Sequence, residues 1–310
     1  MITILKNTEL GLQTLDQPVD GCWINLVNPS SDEVTRIRDE YQIPEDYLTY
    51  PLDLDERART ETDDGKVLIV LRVPIYMGDN VDIPYETAPL GIVLTERVLV
   101  TIQKNDLNVV SGLINGRVRS ISTNKRYRLI LFLLLAAATK YLAYLREIDR
   151  RVDVLEDQLH KSLQNKEVLG LLKYQKSLTL FTAALKSNEL MIARLQRNHL
   201  FNKYEEDQDL LEDVLTELQQ AIEMTNISSN ILSQMMDAFA SIISNNLNVV
   251  MKFLASITII LSVPTLIASI YGMNVPLPLD AADHALPVLL GVMLSVMIIV
   301  LIIFRRRDWL

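Results

Sequence analysis

The 310-residue chain has a single cysteine, Cys22, and only three histidines, His160, His199 and His284. One cysteine cannot form an internal disulfide, which fits a reducing compartment. Three scattered histidines do not predict a transition-metal site. Basic residues are also the minority, 30 against 39 acidic, and the formal net charge is −9. This balance argues against nucleic acid as a partner and is compatible with cations as ligands.

Charged residues are absent from two long apolar runs near the C-terminus, 253–279 and 285–304. A bilayer core about 30 Å thick requires about 20 apolar residues in a helix, so both runs are predicted membrane spans. Only a short segment separates them, which predicts a hairpin. Lys252 precedes the first span and Arg305-Arg306-Arg307 follows the second. Since positive residues remain in the cytoplasm, both termini are expected there, with the hairpin turn outside.

The N-terminal part, residues 1–120, has the pattern of a mixed α/β domain. Ser30 and Glu33 form a capping-box pattern that predicts a helix through about Tyr41. A second helix is expected over 105–115. The dipeptide Glu96-Arg97 predicts a tight hairpin between two strands. Five short β-branched or apolar runs have the length of strands, at 3–5, 22–27, 67–76, 91–95 and 98–103.

Helical periodicity replaces the strand pattern beyond residue 121. The apolar run 129–139 has only 11 residues between Arg128 and Lys140, so it predicts a buried helix and not a membrane span. That helix is expected to continue to His160, and a second to cover 169–200. Together they predict two long antiparallel helices within 121–204. The longest helical stretch then covers 205–271, and its start, 205–213, is rich in acidic residues.

Polar and small residues recur every three or four positions along this last helix. The recurrence begins in the soluble part and continues through the first span: Glu223, Asn226, Asn230, Gln234, Asp237, Ser241, Ser244, Asn248, Met251, Ala255, Thr258, Ser262, Thr265, Ser269 and Gly272. A solvated face explains the pattern up to about residue 245. Inside a bilayer, polar positions face partner helices or water. Two spans cannot enclose a water path, so the pattern predicts either an oligomeric pore or helix packing through small residues.

The tetrapeptide Tyr271-Gly272-Met273-Asn274 ends the first span. In this position it resembles the signature of the CorA-type magnesium channel family. Met251-Lys252 before the span and the C-terminal Arg305-Arg306-Arg307-Asp308-Trp309-Leu310 are also similar to that family. The acidic α/β part and the long helices extend the resemblance over the whole chain. It implies an α+β membrane protein that assembles as a homopentamer, with a cytoplasmic αβα domain, a funnel of long helices and a transmembrane hairpin.

The resemblance also implies roles for individual residues. Gly272, Met273 and Asn274 would form the external selectivity filter, and Asp213 would belong to a regulatory Mg²⁺ site between subunits. Tyr50 stands where the family commonly has Asp, and Asp53 or Asp55 would take the place of that residue as the N-terminal partner of the site. Further residues of the predicted stripe and its neighbourhood would line the pore: Asp237 at the cytoplasmic mouth, then Asn248, Met251, Leu254, Ala255, Thr258, Ser262 and Thr265.

These expectations divide the chain into seven segments: the α/β domain 1–120, the long helices 121–204, the stalk helix 205–250, the pore-lining span 251–273, the external loop 274–284, the second span 285–304 and the basic tail 305–310. In the loop, Val275-Pro276-Leu277-Pro278 replaces the acidic motif of many family members. Cation capture at the outer mouth is therefore expected to be weaker or arranged differently.

The chemistry of the predicted pore favours a hydrated ion. Mg²⁺ holds its water strongly and prefers oxygen ligands. No carboxylate occurs between Asp237 and Asp280, so a bare divalent ion would lack replacement ligands. Amide oxygens of Asn274 would bind the coordinated water, and Met251 and Leu254 could form an apolar collar.

Two alternatives to Mg²⁺ uptake remain open from the sequence. One is a related transporter for Zn²⁺, Co²⁺ or Ni²⁺, including an outward or proton-coupled one, and the other is a membrane-tethered scaffold. No Gly-x-x-x-x-Gly-Lys-Ser/Thr loop occurs, so a nucleotide-driven pump is disfavoured. The soluble part shows no pairing of a nucleophile with a base that would predict an enzyme. The expected ligand is thus Mg²⁺, both transported and regulatory, and the expected surroundings are membrane lipid and further copies of the chain.

Overall fold

The computed structural model describes residues 1–8, 11–116, 121–161, 165–198, 200–201, 206–273, 284–307 and 309. The chain divides into two compact units, Met1–Gln234 and Met235–Leu310. The first unit contains a β-sheet with long helices packed on it. The second contains the C-terminal part of the longest helix and one further apolar helix.

A seven-stranded mixed sheet organises the first unit. Its strands are ordered β2-β1-β3-β7-β6-β5-β4, and only the central pair β3–β7 is parallel. The central strands are apolar on both sides, because helices cover both faces of the sheet. The strand bounds are β1 Ile2–Thr8, β2 Gly11–Leu15, β3 Trp23–Val27, β4 Arg59–Asp63, β5 Lys66–Tyr76, β6 Tyr85–Leu94 and β7 Leu99–Gln103.

Most helices follow the sequence signals closely, whereas the short helix Glu45–Thr49 was not predicted. The capping box of α1 is present: the Glu33 amide donates to Ser30 Oγ over 3.2 Å, and the Ser30 amide donates to Glu33 Oε2 over 2.9 Å. A short 3₁₀ turn, Tyr50–Leu52, follows α2. The helix bounds are α1 Ser31–Tyr41, α2 Glu45–Thr49, α3 Asn108–Ile114, α4 Arg126–Lys161, α5 Asn165–Arg197, α6 Glu206–Tyr271 and α7 Ala285–Arg306.

Helices α4 and α5 pack against one another in antiparallel directions. The rings of Tyr141 and Phe181 meet edge to face with centroids 5.0 Å apart, and Leu155 lies against Gly170. The prediction that the apolar start of α4 is buried is confirmed, since Ile130 and Leu131 have no exposed surface. Helix α6 runs parallel to α4, as two contacts between them show. Arg128 contacts Asp207, and 21 residues further along both helices Asp149 contacts Ser228.

Two edge strands and one strand start differ from the sequence prediction. Strands β2 and β4 were not predicted, because neither contains a continuous run of apolar residues. Strand β6 begins at Tyr85 and not at Gly91, so it includes Pro89. Glycine is required at Gly91, since a Cβ there would lie 2.2 Å from Pro51 Cγ.

Three helical segments among the described residues are long and apolar enough to cross a membrane: Arg126–Leu159, Asp207–Tyr271 and Leu286–Arg306. They differ in burial. The most apolar window of the first is 56% buried, that of the second 6% and that of the third 0%. The second and third therefore expose apolar side chains on nearly every side of the single chain, as membrane helices do.

Candidate ion pathway and cation-binding residues

The side chains predicted to line the pore all lie on one sector of α6. At about 100° per residue, they fall within a sector of about 120° around Thr258. Every one of them is exposed in the single chain, and Met251 and Leu254 are each 57% exposed. A shallow groove of about 680 Å³ follows the outer part of this sector and is lined by Thr258, Ile259, Leu261, Ser262, Val263, Thr265, Leu266 and Ser269.

Three hydroxyl groups on this sector donate their hydrogen back to the helix. Thr258 Oγ1 donates to the carbonyl of Leu254 over 2.8 Å. Ser262 Oγ donates to Thr258 over 2.7 Å, and Thr265 Oγ1 donates to Leu261 over 2.9 Å. Because the hydrogen is used inside the helix, each oxygen presents its lone pairs outward. Such an oxygen can accept a hydrogen bond from water coordinated to a cation, whose O–H groups point outward.

The opposite face of the helix holds the chain end that follows α7. Ser256 lies about 160° from Thr258 around the helix axis. It is fully buried, donates to the carbonyl of Lys252 over 2.8 Å and lies 3.5 Å from the carbonyl of Trp309. The Trp309 ring stacks on Phe304, with centroids 5.4 Å apart. Within the second unit, the hydroxyl-bearing sector of α6 therefore faces away from this tail.

The end of α6 does not depend on the conformational freedom of glycine at Gly272. Its backbone does not adopt the left-handed conformation, and an added Cβ would lie at an ordinary 3.4 Å from the carbonyl of Ala268. The amide of Gly272 donates to that same carbonyl over 3.0 Å, so the helix ends regularly here. Met273 is exposed, whereas Asn274 and the rest of 274–283 lie outside the described residues.

The acidic loop after α2 presents two carboxylates to solvent, those of Asp53 and Asp55. Asp53 Oδ1 accepts the Asp55 amide over 3.1 Å, which fixes the turn between them. The neighbouring Glu56 is neutralised by Arg59, whose Nε lies 3.0 Å from Oε1. The Arg59 guanidinium also lies 4.6 Å from the centre of the Tyr50 ring. Tyr50 thus supports a neighbouring arginine at the position where the family commonly has Asp.

The acidic start of α6 divides into exposed and buried carboxylates. Asp209, Glu212 and Asp213 are exposed. Asp207 is buried, with 3% of its surface exposed, and its Oδ1 lies 3.8 Å from Arg128 Nη1. Burial requires such a pairing, since an isolated charge is costly in the interior. Among the described residues, no three acidic, histidine or cysteine side chains come close enough to hold a metal ion.

Two features of these sites were missed by sequence reasoning. The first is the contact of Ser256 with Trp309, which joins residues 53 positions apart. The second is Arg72, which lies in β5 and donates to carbonyl groups of the acidic loop. Arg72 did leave a signal, because it is the one charged residue within the apolar run 67–76.

Comparison with known proteins gives matches over nearly the whole chain. The cobalt/magnesium transport protein CorA of Methanocaldococcus jannaschii is 27% identical over 298 residues, which cover 93% of this chain and 91% of that protein. The protein of the same name from Thermotoga maritima is 26% identical over 294 residues, covering 93% and 83%. The complete structure of the CorA magnesium transporter from M. jannaschii superposes with a TM-score of 0.87 at 25% identity, covering 100% of this chain and 99% of that one.

The family model described as "CorA-like Mg2+ transporter protein" matches residues 20–306. This range includes strands β3 to β7, the long helices and both apolar helices. The chain therefore belongs to the CorA-like Mg²⁺ transporter family.

Proposed function

We propose that the protein is a channel that passes hydrated Mg²⁺ across a membrane into the cytoplasm. The observation that carries this proposal is the row of outward-facing hydroxyl oxygens on α6, at Thr258, Ser262 and Thr265. Family membership agrees, since the family is one of ion transporters and not of enzymes. No carboxylate side chain lies on this sector between Asp237 and the helix end, so the cation is expected to keep its water.

The proposed assembly is a homopentamer with the hydroxyl sector of α6 turned toward the axis. A single chain cannot enclose a path with two membrane helices, and α6 is exposed around nearly all of its apolar length. In the assembly, neighbouring copies and lipid would cover this surface. The segments 251–273 and 285–304 would span the plasma membrane, which is the inner membrane in cells that have two membranes. The soluble part and the tail 305–310 would lie in the cytoplasm.

The proposed selectivity filter is a ring of Asn274 side chains, preceded by Gly272 and Met273. Amide oxygens in such a ring would accept hydrogen bonds from the ion's water without replacing it. The side chains of Met251 and Leu254 would narrow the pore at the cytoplasmic side. Two charges that cross about 100 mV, negative inside, gain about 4.6 kcal/mol, so no nucleotide is required.

The proposed regulation uses cytoplasmic Mg²⁺ bound between subunits. Asp213 of one subunit would meet Asp53 and Asp55 of the next, since no single chain brings three such groups together among its described residues. Without the cation these exposed carboxylates would repel one another. Bound Mg²⁺ would hold the subunits in the closed arrangement, and its loss on depletion would release them.

Limited proteolysis of the purified protein tests this regulation. In the wild-type protein, millimolar Mg²⁺ should slow cleavage, and Asp213→Lys should remove this protection. Glu223→Lys is the matched control, because it makes the same charge change at another exposed position of α6. If Asp213→Lys retains full protection by Mg²⁺, Asp213 is not part of the sensor.

Cobalt is a second candidate for the transported ion. The relatives from M. jannaschii and T. maritima are both called cobalt/magnesium transport proteins. A pore that binds the water shell discriminates ions by the size and charge of the hydrated complex, which Co²⁺ and Mg²⁺ share. Comparison of Mg²⁺, Co²⁺ and Zn²⁺ flux in liposomes, with and without a pH gradient, separates a potential-driven channel from a proton-coupled carrier.

A further inference from the structure

The guanidinium of Arg72 is fully hydrogen-bonded, and the acceptors include the backbone of the acidic loop. Nη1 donates to the carbonyls of Leu54 over 2.5 Å and Glu56 over 3.0 Å. Nη2 donates to the carbonyl and the hydroxyl of Thr87, over 2.7 and 2.6 Å, and Nε donates to that hydroxyl over 3.2 Å. A guanidinium has five N–H donors, and these five bonds use all of them.

The acceptors of Arg72 are all neutral oxygens. No ion pair joins it to a carboxylate of the described residues, although it is half-buried. Burial lowers the pKa of Arg72, and the electrostatic interactions with Tyr141, Asp55 and Glu56 act in the opposite direction. Since Arg72 binds the loop through backbone carbonyls, the side chains of Asp53 and Asp55 stay exposed and available to a cation.

The backbone of Arg72 is held by two helices. Its amide donates to Asn188 Oδ1 over 2.9 Å, and its carbonyl accepts Asn188 Nδ2 over 2.9 Å and the Tyr141 hydroxyl over 3.1 Å. On one side of β5, the pairing with β4 extends only as far as Val70 and does not reach Arg72. On the other side, Arg72 lies opposite Pro89, which has no amide hydrogen. Asn188 thus provides the hydrogen bonds that a neighbouring strand would otherwise make with the backbone of Arg72. Arg72 joins the loop on one side to α4 and α5 on the other.

A cavity of about 480 Å³ separates the acidic loop from α5 beside this arginine. Asp55, Glu56 and Arg57 line it from the loop, and Ser187 and Leu190 line it from the helix. The two elements are therefore not tightly packed at this point. The bonds through Arg72 fix the distance between them.

We infer that Arg72 is a positioning residue that holds the acidic loop 53–57 in a fixed relation to α4 and α5, so that a cation bound by the loop changes the position of these helices. This inference rests on the proposed regulatory role of Asp53 and Asp55. It assigns to Arg72 neither contact with the cation nor a place in the pore.

Three variants of the full-length protein separate positioning from charge. Arg72→Lys keeps the positive charge but loses the five-donor fork, and Arg72→Met loses both. Arg57→Met removes a positive charge from the same loop, at an exposed side chain without a hydrogen bond or ion pair to the described residues. Hydrogen exchange of the loop and of α5, with and without Mg²⁺, gives the first measurement. The internal Mg²⁺ concentration that halves the flux in liposomes gives the second.

If Arg72 positions the loop, loop amides should exchange at least tenfold faster in both Arg72 variants than in the wild type. The internal Mg²⁺ concentration that halves the flux should also shift at least tenfold in both. Arg57→Met should match the wild type in both measurements. The inference is overturned if Arg72→Lys behaves as the wild type, or if Arg57→Met shifts as far as Arg72→Met. It is also overturned if amides of β7 exchange equally faster, because the effect is then general unfolding. A wild-type flux insensitive to internal Mg²⁺ overturns the proposed regulation instead, while loop exchange still decides whether Arg72 holds the loop.

Discussion

Removal of the Ser262 hydroxyl tests whether the exposed sector of α6 contacts the passing ion. In Ser262→Ala the helix loses only a second bond to the Thr258 carbonyl, which keeps its backbone partner. Alanine is also the better helix former, so folding should be unaffected. Each hydrogen bond from coordinated water to a hydroxyl contributes about 1 kcal/mol. If the hydrated ion loses one or two such bonds per ring, flux falls about five- to thirtyfold.

Ser295→Ala is the matched control for this experiment. Ser295 is exposed on α7, and its hydroxyl donates to the carbonyl four residues earlier over 2.7 Å, the same distance as for Ser262. Both proteins are reconstituted into liposomes that contain a Mg²⁺-sensitive dye, with an imposed potential that is negative inside. The reasoning is refuted if the two variants reduce flux equally, or if Ser262→Ala conducts as well as the wild type.

Two further predictions concern stability. Thr101→Val should lower the free energy of unfolding by about 2–3 kcal/mol in urea titrations, because Thr101 Oγ1 accepts the buried Trp23 indole N–H over 2.9 Å and donates to Asn25; an unchanged midpoint would contradict this. Asp149→Asn should raise the melting temperature at pH 7, since burial raises the pKa of Asp149, although a bond from Ser228 opposes the shift. A carboxyl whose pKa is raised in the folded protein destabilises the fold once it is ionised. The gain in melting temperature should therefore shrink as the pH falls toward about 3.8, the ordinary pKa of Asp. A gain that stays constant with pH would contradict this prediction.

The sequence predicted those elements whose signals are local. Ser30 and Glu33 lie three residues apart, and their capping box begins α1 as expected. The apolar start of α4 was predicted to be buried from its length alone, and it is buried. Helix α6 was predicted within one residue of its observed start. In each case the physical cause, a cap or a periodic apolar face, is contained in neighbouring residues.

The elements that sequence reasoning missed depend on distant partners. Strand β4 has the sequence RTETD and is a strand because its backbone pairs with β5, not because side chains are buried. Pro84, just before β6, and Pro89 within it hid the first half of this strand, yet Pro89 is tolerated because the backbone of Arg72 opposite it binds Asn188. The proposed cation site could be predicted only by resemblance, because its carboxylates lie about 160 positions apart and the described residues of one chain do not bring three such groups together.

The central claim is that a ring of amide side chains passes an intact hydrated cation. The most direct test measures Mg²⁺ uptake by purified protein in liposomes under an imposed potential, wild type against Asn274→Ala, with insertion and oligomeric state checked for both. We predict potential-driven uptake by the wild type and loss of most of it in Asn274→Ala. Equal uptake by the two proteins, or none by the wild type, would contradict the account.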